Sequence, residues 1–148
     1  MTRRMNLWIA LLCSVPTASL WAIDLASVRQ EPNLDRRSQL AMECANSALD
    51  AARTSYQANE LDKTRASLDD AGQAVSLAYE SLKQTGKEAR RDTKFFKRTE
   101  LATRQMLRRI EGMAESMNFE DRPLVDKLRE RVAAIHENLL QDIMGKKK

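Results

Sequence analysis

The chain has 148 residues, of which 25 are lysine or arginine and 21 are aspartate or glutamate, so its formal net charge is +4 at pH 7. One histidine and two cysteines are too few for a zinc cluster or for covalent haem attachment. We therefore expect neither a bound metal nor a cofactor.

The first 22 residues predict an N-terminal signal peptide. Arg3 and Arg4 precede a run from Met5 to Ala22 without charge, as in the cationic and apolar regions of a secretory signal. We place the cleavage after Ala22, although a site near Thr17-Ala18-Ser19 fits the small-x-small rule. Thr2-Arg3-Arg4 also resembles the start of a twin-arginine signal. The alternative is an uncleaved anchor, because the uncharged run approaches the ~20 residues that span a bilayer.

Residues 23–148 then form a single predicted domain, periplasmic or extracellular, that contains four helices. The first is predicted over 34–57, with Asn33 as its N-cap. Its inner face carries small residues at helical spacing: Ser38, Ala41, Ala45, Ala48 and Ala52. The second is predicted over 60–84, with Asn59 as its N-cap and Gly86 beyond its end. Its inner face follows an alternating spacing of three and four residues, as in a coiled coil: Leu61, Thr64, Leu68, Ala71, Val75, Ala78 and Leu82.

The third helix is predicted over 93–118 and the fourth over 122–144. The third has a broad apolar face formed by Phe96, Thr103, Leu107, Ile110, Ala114 and Met117, flanked by Phe95, Ala102, Met106 and Met113. The fourth is capped at Asp121, has Pro123 in its first turn, and presents an apolar stripe of Val125, Leu128, Val132, Ile135, Leu139 and Ile143. No segment alternates apolar and polar residues as a strand would.

These patterns predict an all-α fold, a four-helix bundle built of two antiparallel helical hairpins and preceded by the signal peptide. In the first hairpin a short turn brings two facing seams together, and the large residues of the helix over 60–84 lie over the alanines of the helix over 34–57. The oligomeric state stays open, because helical seams can be satisfied within one chain or between two.

The segment around residues 45–78 resembles a single tetratricopeptide repeat. Leu61, Thr64, Leu68 and Ala71, preceded by Asn59-Glu60, follow the spacing of the second half of such a repeat, with Thr64 where the family has alanine. The resemblance implies the geometry of a helical hairpin and a protein-binding function. It does not identify any binding residue in this chain.

The chain offers no recognisable catalytic constellation. His136, the only histidine, lies at the edge of the apolar stripe of the fourth helix, where we expect it to play a structural part. Cys44 is the only cysteine left once the signal with Cys13 is removed, and its alanine neighbours predict that it is buried. We predict that the protein is not an enzyme and leave an unrecognised enzyme as the less favoured alternative.

Charge is distributed unevenly along the chain. Residues 23–85 hold 7 basic and 10 acidic side chains, a net charge of −3, whereas residues 86–148 hold 16 and 11, a net charge of +5. Much of the excess falls in residues 87–109. Six cations there lie within an arc of about 140° opposite the apolar stripe, and they are the candidate anion-binding residues: Lys94, Lys97, Arg98, Arg104, Arg108 and Arg109. Lys146, Lys147 and Lys148 add a basic tail.

The basic face has two interpretations, a solvated helix surface or a contact surface for an anionic component. Nucleic acid is not expected as a partner, since the protein is predicted to be exported and Phe95 and Phe96 fall on the apolar face. We therefore predict a non-enzymatic exported interaction or structural module of the cell envelope with a protein partner. The alternative is a binder of anionic polymer or membrane surface through residues 87–109.

Overall fold

The computed structural model of the protein describes residues 24–145, and all regular structure within them is helical. In chain order the elements are α1 (Leu25–Arg29), α2 (Leu34–Gln57), α3 (Leu61–Gln84), α4 (Thr93–Ser116), a 3₁₀ turn (Phe119–Asp121) and α5 (Pro123–Met144). The four long helices pack against one another, which confirms the all-helical bundle. The predicted signal peptide and the basic tail lie outside the described residues.

The ends of two helices show where local prediction succeeds and fails. The Asn33 side chain accepts a hydrogen bond of 3.0 Å from the backbone N–H of Arg36, so the predicted N-cap of α2 is confirmed. The predicted N-cap of the next helix was wrong, because Asn59 adopts a left-handed backbone with φ of 60° and turns the chain between the helices. Asparagine tolerates this conformation better than most residues. Helix α3 therefore begins at Leu61, with Glu60 at the cap position and no side-chain capping bond.

The connection between α4 and α5 also differs from the prediction. Helix α4 ends at Ser116, because Met117 adopts an extended backbone and the 3₁₀ turn follows. Asp121 does not cap α5. Its carboxylate instead accepts a hydrogen bond of 2.9 Å from the Tyr56 hydroxyl, which ties the end of α2 to this turn. Pro123 is the first residue of α5, as predicted, where its missing N–H costs no hydrogen bond.

The long helices form a ring in the order α2, α3, α5, α4. Helices α2 and α3 share the most extensive interface and are joined by three residues, so they run antiparallel. Helices α4 and α5 are joined by residues 117–122, a connection too short to return along the length of a helix, so they also run antiparallel, with Thr103 beside His136 near the middle of both. Across the hairpins α2 lies beside α4, and α3 lies beside α5. The long connection from α3 to α4 therefore crosses a diagonal of the bundle.

The core follows the predicted seams on three of the four helices. The seams of α2 and α3 are buried together, but α2 also buries Met42 and Leu49, which the predicted face of small residues did not include, and Ala48 is only partly buried. The apolar stripe of α5 is buried from Val125 to Leu139. On α4 the buried face is rotated from the predicted one: Met106 and Met113 are fully buried, whereas Leu107 and Ala114 are only partly buried. The buried face is rotated because α4 packs against two helices, α2 and α5, and its core side chains lie between them.

Helix α1 is an addition to the predicted elements. The Asp24 side chain accepts a hydrogen bond from the Ala26 backbone and caps its first turn. Val28 is buried, and the short helix packs on α2. Within residues 24–145, no helix is both long and apolar enough to cross a membrane.

Candidate interaction surface

The outward side of α4 carries cations at the spacing along which one helix contacts another. Lys94, Lys97, Leu101, Arg104 and Arg108 follow one another at intervals of three and four residues. At 1.5 Å per residue this row is about 21 Å long. We call these five positions the α4 stripe.

Three of the six candidate cations are tied to neighbouring side chains. Arg98 donates a hydrogen bond of 3.0 Å to the Gln39 side chain of α2. Arg109 donates to Asn46 at 2.7 Å and pairs with Asp50, both also on α2. These contacts join the two hairpins.

The third tied cation is Arg104, which pairs with a carboxylate on its own helix. Glu100 is only 5% exposed, and its carboxylate accepts hydrogen bonds from Nε and Nη2 of Arg104, one turn along α4. The guanidinium covers the carboxylate and is itself about half exposed. Arg104 therefore neutralises a buried charge in addition to facing solvent.

The other three candidates, Lys94, Lys97 and Arg108, are exposed and form no ion pair or hydrogen bond with any side chain in residues 24–145. No carboxylate faces them from within the stripe, because Glu100 is the only acidic residue between positions 94 and 108 and it is buried under Arg104. Their charge is therefore uncompensated.

Leu101 lies at the centre of these cations and is 56% exposed. It is the only large hydrophobic side chain of α4 that is exposed to this degree. The sequence interpretation overlooked Leu101. Its position could have been found from the spacing, because Leu101 lies four residues after Lys97 and seven before Arg108.

Acidic side chains border the α4 stripe on two sides. Glu43 and Asp50 are exposed on the neighbouring α2, and Glu111 and Glu115 are exposed on the last turns of α4. The positive surface is therefore bounded on the α2 side and ends before the C-terminal end of the helix.

Lys87, at the edge of the basic segment, does not belong to this surface. Its ammonium group donates a hydrogen bond of 2.6 Å to Asp35 and lies 4.7 Å from the centre of the Phe95 ring. The hydrogen bond to Asp35 raises the pKa of Lys87. Lys87 thus fastens the chain after α3 to the start of α2.

His136 lies between α4 and α5 with Thr103 and Glu100. Its Nδ1 is 3.1 Å from the Thr103 hydroxyl and 3.8 Å from a carboxylate oxygen of Glu100. The Thr103 hydroxyl donates its proton to the backbone carbonyl of Glu100. It must therefore accept in its contact with His136, so we assign a proton to Nδ1 of His136. A hydrolytic triad would need the hydroxyl and the carboxylate on opposite ring nitrogens, whereas both face Nδ1 here. Thr103 is also completely buried, out of reach of a substrate.

Cys44 is 7% exposed in α2, so its predicted burial is confirmed. Burial is the main cause that raises the pKa of its thiol, and the negative charges of Asp24 and Glu43 act in the same direction. A raised pKa keeps the thiol protonated at neutral pH and lowers its reactivity.

Residues 24–145 contain no group of three histidine, cysteine or acidic side chains placed to hold a metal ion. Comparison of the chain with protein-family models, with curated protein sequences and with solved structures finds no match.

Proposed function

We propose that the protein is a non-enzymatic helical interaction module of the cell envelope, and that the α4 stripe docks an acidic helix of a partner protein. The observation that carries this proposal is the uncompensated charge of Lys94, Lys97 and Arg108 around the exposed Leu101. An apolar centre with a charged rim is the arrangement found in many protein interfaces.

The shape of the positive surface favours a helix over a membrane. A lipid bilayer is flat and broad, so a membrane lying on α4 would also approach the exposed carboxylates of Glu43, Glu111 and Glu115. A helix lying along α4 would contact the row at intervals of three and four residues and leave those carboxylates in water. Partner glutamates and aspartates on either side of an apolar residue at Leu101 would complement the charges.

The non-enzymatic part of the proposal is supported by the role of His136 and its neighbours. The contacts of His136, Thr103 and Glu100 link α4 to α5. The helical hairpin around residues 45–78, which resembles a tetratricopeptide unit, fits an interaction module as well.

Site-specific photo-cross-linking tests the docking surface. A photoreactive amino acid is placed at Leu101 and, as a control, at Gln73, an exposed position of α3. Mass spectrometry then identifies the peptide cross-linked in cells. We expect a helical, acid-rich segment of one protein at position 101 and not at position 73. Equal cross-linking at both positions, or a partner segment without acidic residues, would contradict the proposal.

A sedimentation assay distinguishes the membrane alternative. The purified domain is mixed with vesicles of phosphatidylcholine and phosphatidylglycerol at physiological ionic strength. The proposal predicts that the protein stays in the supernatant. Sedimentation that depends on Lys97 and Arg108 would assign the α4 stripe to anionic lipid instead.

The cellular location is the second part of the proposal. A cut after Ala22 would leave Asp24, the cap of α1, and every described helix intact. Sequencing the N-terminus of the protein from fractionated cells tests export. We expect a mature N-terminus within a few residues of Ile23 in the envelope fraction. An intact Met1 in the cytoplasm would contradict export, and an intact Met1 in the membrane fraction would indicate an uncleaved anchor.

A further inference from the structure

A cavity of about 170 Å³ lies between the N-terminal halves of α2 and α4. Met42, Leu82, Phe95 and Ala102 provide most of its apolar lining. Asp35 and Ser38, from the first two turns of α2, line it with polar groups. A cavity of comparable size, about 150 Å³, is large enough to hold a benzene ring.

Two oxygen atoms beside this cavity lack hydrogen-bond partners. Within residues 24–145, Asp35 Oδ1 and Ser38 Oγ are the only buried side-chain nitrogen or oxygen atoms without one. Both belong to residues that line the same cavity, where neighbouring atoms cover the two oxygens almost completely, and Ser38 as a whole is only 2% exposed. Buried polar groups without partners cost free energy, so proteins rarely keep them. Their coincidence with a cavity points to a ligand that completes their hydrogen bonds.

The helices on either side of the cavity are loosely joined. The α2–α4 interface is the least extensive of those between neighbouring helices of the ring. The hydrogen bond between Gln39 and Arg98, which both line the cavity, bridges the two helices at this level. Parting of this bond would widen the seam and give a ligand access to the two oxygen atoms.

The lining defines the chemistry of the ligand. Asp35 accepts a hydrogen bond from the Lys87 ammonium through its other oxygen, and an oxygen of a carboxylate in such an ion pair acts as a hydrogen-bond acceptor. Two carboxylates, Asp35 and Glu43, line the cavity against one cation, Arg98, which already donates to Gln39, so a ligand carboxylate would be disfavoured. A hydroxyl can donate to Asp35 and accept from Ser38. The protein already makes bonds of this kind, from the Tyr79 hydroxyl to Asp142 at 3.0 Å.

We propose that this cavity binds a small aromatic alcohol of the size of p-cresol. The ring occupies the apolar space beside Met42 and Phe95, and the hydroxyl donates to Asp35 Oδ1. The site is separate from the α4 stripe, since it opens on the side of α4 that faces α2.

Titration of the mature domain with p-cresol, followed by NMR of the backbone amides, tests the site. We expect saturable shifts centred on the lining residues. Toluene, which has the same shape without the hydroxyl, should bind at least about tenfold more weakly, because a hydrogen bond to a charged group is lost. Equal affinity for toluene and p-cresol, or no saturable binding, would overturn the proposal.

Two variants locate the site. Ala102→Leu fills the cavity and should abolish the shifts. Ser38→Ala should lower the affinity for p-cresol several-fold. The control is Ser76→Ala, which removes a hydroxyl that donates to the Gly72 carbonyl, and it should leave the affinity unchanged. Binding that persists in Ala102→Leu, or that falls equally in both serine variants, would also overturn it.

Discussion

Replacing Arg104 by alanine should destabilise the bundle, although Arg104 lies on the surface. The change leaves the Glu100 carboxylate, whose side chain is 6% exposed, without its guanidinium. Removing one partner of a fully buried ion pair costs about 3–5 kcal/mol, whereas an exposed pair contributes about 0–1 kcal/mol. Because Arg104 is half exposed and water can replace part of it, we expect a loss of about 2 kcal/mol.

Urea unfolding at pH 7, followed by circular dichroism, measures this loss. Lys97→Ala is the matched control, since Lys97 is an exposed cation of the same helix without an ion pair, and its stability should change by less than about 0.5 kcal/mol. Adding Glu100→Gln to Arg104→Ala removes the unpaired buried charge of Glu100 and should restore at least about 1 kcal/mol of the free energy of unfolding. If Arg104→Ala and Lys97→Ala are equally stable, the reasoning about Glu100 is refuted.

Three further changes test the packing, the capping and the pH dependence of the fold. Leu68→Asp should cost about 4 kcal/mol or more, because it buries an unpaired charge, and an unchanged melting curve would show that Leu68 is not in the core. Asn33→Ala should cost about 1 kcal/mol in thermal unfolding through loss of the N-cap, whereas Asn33→Gly should cost only a few tenths. Burial and the hydrogen bond to Asp142 raise the pKa of Tyr79 to about 12 from 10.0, so its contribution to stability is complete below pH 10 and is lost as the pH rises through about 12. Two pKa units correspond to about 2.7 kcal/mol, which solvent screening of the partly exposed ring reduces to about 1 kcal/mol. Urea unfolding at pH 9 and 12 should show a loss that is larger by this amount in the wild type than in Tyr79→Phe, and equal losses would contradict the assignment.

The helices and their seams could be predicted because their causes are local. Apolar residues three and four apart fix which face of a helix is buried, and this rule found Ala41 and Leu68 on facing seams. The cap at Asn33 was also local, since its hydrogen bond spans three residues.

The errors arose where the conformation depends on the rest of the bundle. Asn59 has the composition of a helix cap, but the tight α2–α3 turn needs a left-handed residue at this position. The buried face of α4 turns toward Met106 and Met113 because two neighbours, α2 and α5, share it. Propensity and periodicity contain no information about either constraint.

For the interaction surface, the sequence located the cations but not their partners. Helical spacing alone placed the six basic residues on one side of α4. Which of them are paired depends on Gln39 and Asp50 of α2, which lie 59 residues from Arg98 and Arg109 in the chain. The Glu100–Arg104 pair is different, because its spacing of four residues was visible in the sequence.

The most direct test of the α4 stripe is charge reversal in the cross-linking assay at position 101. Lys97→Glu with Arg108→Glu reverses two of the three unpaired cations and leaves the Arg104–Glu100 pair in place. Lys63→Glu with Arg65→Glu changes the net charge equally on α3, where both residues are exposed. We predict that the first pair lowers the cross-linked product at least about tenfold while the second leaves it unchanged, with the same helix content in both. Equal yields from the two variants would contradict the assignment of the α4 stripe as the partner-binding surface.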